Sequence, residues 1–177
     1  MVKYEDGQAQ EIKADLSKIV LPQESLRDLN HRNEEKIEII NFLMAKDQRM
    51  LQIYGEKNRA IDTVVKAVKY TAEREMKYFQ NGAFRIDLEG FYSIKQILNN
   101  IYQKLENYSD KDPEPDDVIA WFRKKTNDRK SFLIIFDKIE QIAKPQVIEQ
   151  MKKFIFKLIE ETTLMKIIIL TSTKESF

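Results

Sequence analysis

The chain has 177 residues, 42% of them hydrophobic and 33% charged, with a formal net charge of +1. This is enough for one domain with a buried core, and the charge balance excludes a chain-wide basic field of the kind that seeks nucleic acid or anionic membrane. Having no cysteine, the chain is excluded from disulfides, thiolate metal sites and a cysteine nucleophile. Its single histidine, His31, excludes a histidine-rich metal centre and reads as a loop or capping residue beside Arg32 and Asn33.

Residues 1–20 carry no clear period and read as an N-terminal arm or a short helix; a domain spanning 21–177 follows. In that domain Asn33 is a plausible N-cap, Glu34 and Glu35 suit a positive helix start, and Ile37, Ile40 and Leu43 or Met44 mark an apolar face. Residues 50–54, MLQIY, predict a short strand. A helix over 62–77 is predicted next, packing through Val64, Val65, Val68 and Tyr70. After an Asn-Gly turn signal, 83–88 reads as a strand. Ser93 with Gln96 three residues on gives a capping-box pattern for a helix carrying Ile94, Ile97, Leu98, Ile101 and Leu105.

An acidic, proline-interrupted linker leads to Pro115, a residue suited to the first turn of the helix bearing Trp121 and Phe122. These two aromatics fit a core better than an interface, although they and the Glu89–Ser93 segment are the candidate interaction surfaces. The near-continuous apolar run of 131–137 predicts a strand covered on both faces. Pro145 starts a helix with Ile148, Met151, Phe154, Ile155 and Leu158, and 165–173 is the last strand. Strands alternating with helices predict a mostly parallel sheet with helices on both faces. A doubly wound sheet would ordinarily continue past this point, so the sequence reads as truncated after its fourth strand or as a fragment. No apolar run approaches the ~18 residues of a membrane-crossing helix. The N-terminus lacks the apolar stretch of a secretory signal, and a cytoplasmic or otherwise intracellular location is expected, with no membrane partner.

The stretch after residue 54 has the outline of a phosphate-binding loop, which would read G-x-x-x-x-G-K-[ST]. Here it runs Gly55, Glu56, Lys57, Asn58, Arg59, Ala60, Ile61, Asp62, Thr63. Such loops work because glycines let successive backbone N–H groups wrap phosphate at a helix N-terminus, a lysine meets the β and γ oxygens, and a hydroxyl holds magnesium. Gly55 matches the first glycine; Ala60 replaces the second, Ile61 the lysine and Asp62 the hydroxyl. Thr63 reaches a metal only in a shifted register, and Lys57 and Arg59 are the residues that would supply relocated charge.

In chain order, HRNEEKIEIINFL, IYGEKNRAIDTVVKAV, FLIIFDKIEQI and KIIILTST resemble the P-loop NTPases of the signal-transduction type, the NB-ARC and related STAND ATPases, relatives of the AAA+ group. The resemblance covers roughly 21–177 and implies a three-layer α/β/α P-loop domain. In it His31–Glu35 stands for the family's G-R-x-x-E segment, with Arg32 approaching adenine or phosphate. Leu133–Asp137 stands for the Walker B strand, with Asp137 a magnesium residue alongside Thr63 if Mg-nucleotide binds. Thr171, Ser172 and Thr173 stand for the sensor segment. The acid that activates water directly follows the Walker B aspartate in the AAA+ pattern; here Lys138 is there, and Glu140 lies further on. Asp137 also has a simpler reading, as a cap of the strand-to-helix turn, and Arg32 as an exposed helix-start residue.

Loss of the loop lysine, the metal hydroxyl, the post-strand acid and the sensor arginine touches independent steps of one reaction. The expectation is a degenerate domain acting as a structural or protein-interaction module within a larger assembly or a longer parent chain, with little or no hydrolysis and no cofactor. The alternative is a regulatory switch that binds ATP or ADP, with magnesium, through Gly55, backbone amides, Lys57 and Arg59 and hydrolyses it slowly. Nucleic acid is not expected as a partner, because no basic stripe with interleaved aromatics is present.

Overall fold

Apolar side chains on consecutive positions of a strand can all be buried only if both faces of the sheet are covered, and two central strands of this chain meet that condition. The computed structural model describes residues 2–5, 8–11, 39, 41–54, 79, 82–106, 112–127 and 131–172. In chain order the elements are β1 (Val2–Glu5), β2 (Gln8–Glu11), β3 (Met50–Tyr54), β4 (Ala83–Asp87), α1 (Ile94–Glu106), α2 (Pro115–Asn127), β5 (Phe132–Asp137), a single 3-10 turn (Ile139–Gln141), α3 (Pro145–Glu161) and β6 (Met165–Thr171). Strands β3 to β6 form one sheet in the order β3-β6-β5-β4, with every pair parallel. The fold is α/β, as expected, with the last strand in the chain inserted between the first and the third of the sheet.

Side-chain alternation divides the core into two layers. Phe132, Ile134 and Phe136 of β5 and Met165, Ile167 and Ile169 of β6 face α1, α2 and α3. Leu133, Ile135, Ile168 and Leu170 face the other way, onto Ile39, Phe42, Leu43 and Phe79. Of the apolar positions expected here Leu43 is buried and Met44 half-buried, and Phe42, not named among them, is buried as well. Ile37, Ile40 and the helix expected over 62–77 lie outside the described residues.

The helix starts follow their predicted chemistry. Pro145 occupies the first turn of α3, where its missing N–H costs nothing. Ser93 Oγ accepts from Gln96 N at 3.3 Å, as the capping box requires, but Gln96 Oε1 accepts from Tyr92 N at 3.0 Å, one residue earlier than expected. Phe122 is fully buried and meets Phe132 edge-on at 5.3 Å, with Trp121 packed 5.0 Å from Phe122. Both aromatics of α2 thus belong to the core. Within the stretch read as an arm or a short helix, β1 and β2 pair antiparallel with Glu5 opposite Gln8. Asp6-Gly7, the dipeptide between them, is a hairpin signal in the sequence.

Candidate functional site

The parallel sheet delivers β4, β5 and β6 to one edge with their C-terminal residues aligned. Asp87 stands opposite Asp137 and Asp137 opposite Leu170. In open α/β sheets ligands bind outside the carboxyl ends of the strands, so polar groups gathered here are the ones to examine. Of the residues singled out in the sequence, Asp137, Glu140, Thr171 and Ser172 come together at this edge; Arg32, Gly55, Lys57, Asn58, Arg59, Ala60, Ile61, Asp62, Thr63 and Thr173 lie outside the described residues.

Asp137 is buried at the end of β5. Its carboxylate is gripped by Arg85 of β4, whose Nε donates to Oδ2 at 2.9 Å while Nη2 donates to the same oxygen. Arg85 is two residues before Asp87, on the strand beside β5, and its side chain reaches across to the end of that strand. Backbone geometry supports the same corner: Leu88 N donates to Asp137 O at 2.9 Å, Gly90 N to Gln141 O at 3.1 Å and Ala143 N to Phe91 O at 3.0 Å. The β4 exit loop and the turn after β5 are therefore stitched together. Gly90 has φ +75°, a conformation that glycine adopts without the Cβ penalty.

Lys138 follows Asp137 with φ 59°, and it has the one positive φ among the described non-glycine residues. A side chain in that region costs about 1 kcal/mol or more. The ammonium lies between two carboxylates, 3.0 Å from Asp87 and also bonded to Glu89. Glu89 first and then Asp87 hold the Lys138 ammonium above the ordinary lysine range. For Asp87 burial works against the charged form, but the Glu89 N–H and Lys138 outweigh it and keep the carboxyl below its usual value. Lys138 is in the position where the resemblance would place a water-activating acid, and it serves here as a clasp between the β4 loop and the β5 turn.

Glu140 leans from the 3-10 turn to the end of β6. Its Oε1 accepts from Ser172 Oγ at 2.6 Å and from Ser172 N at 3.1 Å. Burial opposes its ionisation, yet the Ser172 hydroxyl and the neighbouring backbone N–H groups hold the Glu140 carboxyl below its usual value. The sign of the linkage follows: an acid whose pKa is lower folded than unfolded contributes stability above its unfolded pKa and loses it as pH falls. Acid denaturation profiles of the wild type and Glu140→Gln are expected to show their full difference above about pH 4.5 and to converge as pH falls from there through the lower folded pKa. A constant difference at every pH would exclude this role for the carboxylate.

Arg85 and Asp87 are not among the residues singled out in the sequence, and Glu89 is there only as the start of a candidate interaction surface. A signal for the first was present, since Phe84-Arg85-Ile86-Asp87 puts a cation inside an otherwise apolar strand, and such a charge requires a partner.

No family model matches the chain, and no curated protein matches it. Solved structures do. A chain in the structure of Drosophila ORC bound to DNA is similar over 97% of this chain and 48% of its own length, with 14% identity and a TM-score of 0.52. Cdc6p from Pyrobaculum aerophilum is similar over 90% of this chain and 43% of that one, with 13% identity and a TM-score of 0.54. The Aeropyrum pernix ORC2 protein in its ADPNP-ADP complexes is similar over 86% and 42%, with 14% identity and a TM-score of 0.53. The chain therefore spans less than half the length of these structures. At such identities the likeness defines the fold alone, an α/β fold shared with these proteins, in which β5, ending in Asp137, is one of the two inner strands of the sheet.

Proposed function

We propose that the chain is a degenerate P-loop domain of the NB-ARC or STAND kind that serves as a structural or protein-interaction module, with little or no ATP hydrolysis. The supporting observation is the closure of Asp137. A Walker B aspartate needs its carboxylate for the magnesium shell, and magnesium demands near-ideal octahedral oxygen coordination. Here a guanidinium, which is always charged, holds that carboxylate from two nitrogens. Both contacts fall on Oδ2, so the guanidinium competes with a metal for that oxygen. Asp87 and Glu89 are engaged by Lys138, and Glu140 is hydrogen-bonded to Ser172 rather than adjoining Asp137. Together with Ile61 and Asp62 in the loop, these pairings point to acids retained for holding strands and turns together.

The finer family placement rests on the order of the motifs at His31–Glu35, Gly55–Thr63, Leu133–Asp137 and Thr171–Thr173. An arm over 1–20, a domain over 21–177, an intracellular location and a place in a larger assembly are parts of the same proposal. A second reading, an ATP- or ADP-binding switch, draws on the fold shared with Aeropyrum pernix ORC2, which was solved with ADPNP and ADP. DNA accompanies Drosophila ORC; for this chain the balanced charge is the observation against nucleic acid.

Calorimetric titration with Mg-ATP and a phosphate-release assay separate the readings. The module predicts no release above buffer. Micromolar Mg-ATP binding that weakens in Lys57→Ala and Arg59→Ala would favour the switch, and turnover abolished by Asp137→Asn would overturn the pseudo-enzyme.

A further inference from the structure

A cavity of about 450 Å³ opens between the β4 exit loop and α1, lined by Phe91, Tyr92, Gln96, Asn99, Asn100 and Gln103. Its size is within the range of small-ligand and peptide pockets. Four of those residues are carboxamides at positions i, i+3, i+4 and i+7 of one helix, so they form a single stripe along α1. From Gln96 to Gln103 the stripe is roughly 10 Å long at 1.5 Å per residue, about the length of three residues of extended chain at ~3.3 Å each.

Two of the amides are held in place by the protein itself. Gln96 Oε1 accepts from Tyr92 N at 3.0 Å, and Asn99 Nδ2 donates to Asp112 Oδ1 at 2.9 Å. Asn100 Oδ1 is different: it is buried and has no hydrogen-bond partner. A buried acceptor left unmade costs about 1–3 kcal/mol; because the atom has almost no accessible surface, an incoming N–H meets it once the Asn100 side chain turns toward the cavity. Beside it Tyr92 is 61% exposed, one of the two large apolar side chains left out among the described residues.

We propose that this cavity binds a short extended peptide segment of a protein partner. Carboxamides offer a donor and an acceptor side by side, matching the N–H and C=O groups of a peptide backbone. Tyr92 and Phe91 provide an aromatic wall for one apolar side chain, the kind of anchor on which interfaces concentrate their energy. The lining contains no lysine or arginine and includes the carboxylate of Glu89, so phosphate-bearing ligands are disfavoured. The cavity borders β4, three strands from β3 in the sheet and so roughly 14 Å from it at ~4.8 Å per strand. The proposal deepens the interaction-module reading and rests on it for the class of partner, not for the site.

The test pans the whole chain with a phage-displayed random heptapeptide library and measures one selected peptide by fluorescence polarisation. Wild type is expected to enrich peptides with a recurrent apolar residue, and Tyr92→Ala and Asn100→Leu are each expected to weaken binding at least 10-fold while leaving the circular dichroism spectrum unchanged. Absence of enrichment, or a selected peptide indifferent to both substitutions, would overturn the site. So would a single-stranded oligodeoxynucleotide that binds the chain and loses its binding in Tyr92→Ala, because the cavity would then belong to nucleic acid. Phosphate release from Mg-ATP, run on the same preparation, distinguishes failure of the module reading: turnover with peptide binding intact would remove the first proposal and leave this one standing.

Discussion

Arg85→Ala is expected to lower the free energy of unfolding by about 3 kcal/mol, read from chemical denaturation at neutral pH. The side chain of Asp137 is 7% exposed and that of Arg85 27% exposed, so removing the cation leaves a carboxylate at the end of a buried strand with its main partner gone. Truncation of one member of a buried pair is costlier than loss of the pair, since desolvation of the survivor is no longer offset. Arg85→Met combined with Asp137→Leu is therefore expected to recover most of the loss, because neither residue then buries an unpartnered charge. The cycle of single and double variants should give a coupling of about 1–3 kcal/mol. A single-variant cost under about 0.5 kcal/mol, the level of an exposed ion pair, would mean that Asp137 is not dependent on Arg85 and remains free for other chemistry. The same cycle bears on function. If Arg85→Ala were to confer magnesium-dependent nucleotide binding, the guanidinium would be acting as a plug on a site that otherwise survives.

The parts of this structure that could be read from the residues are those fixed by local chemistry. Apolar runs gave β5 and β6 because every side chain in them is buried, and prolines marked where α2 and α3 begin. The hairpin of β1 and β2 escaped because its strands are polar and only Asp6-Gly7 announces it. The candidate site was half legible. Asp137 and Glu140 stand out by position along the chain, but Arg85 meets Asp137 across 52 residues, and a side chain's partner on a neighbouring strand depends on strand order. Nothing in the residues themselves places β6 between β3 and β5. The network of Lys138 with Asp87 and Glu89 has the same origin, since it exists only because two loops from adjacent strands run together.

Lys166→Met is expected to cost about 2 kcal/mol at neutral pH, at the scale of orphaned polar groups near a helix end. Lys166 is on the face of β6 that points at Phe42 and Leu43, where alternation calls for an apolar residue, and it is only 7% exposed. Its ammonium donates to Phe42 O at 2.7 Å, Ala45 O at 2.5 Å and Gln48 O at 2.6 Å, and lies 4.7 Å from the centre of the Phe42 ring. Ala45 N makes a helical bond to Asn41 O at 2.9 Å, so these acceptors belong to the end of the helical segment and the chain just beyond it, where carbonyls have no partner within the helix and a cation complements the dipole. Methionine keeps the apolar stem and removes all three donors. The pH profile gives a second, independent readout. Burial pushes the Lys166 pKa down from 10.5 to about 8, while Asp47 and Arg49 act in opposite directions. Between those two values the unfolded lysine holds a proton that the folded one has released, and stability rises with pH wherever the unfolded state binds more protons. Wild type is expected to gain stability from pH 8 towards 10.5 relative to Lys166→Met, so the gap between the two should widen over that window; a neutral amine still has two N–H groups for the three carbonyls. Parallel curves through the window would show that the lysine keeps its charge in the fold, and a Lys166→Met protein as stable as wild type at pH 7 would show that the carbonyls find other donors.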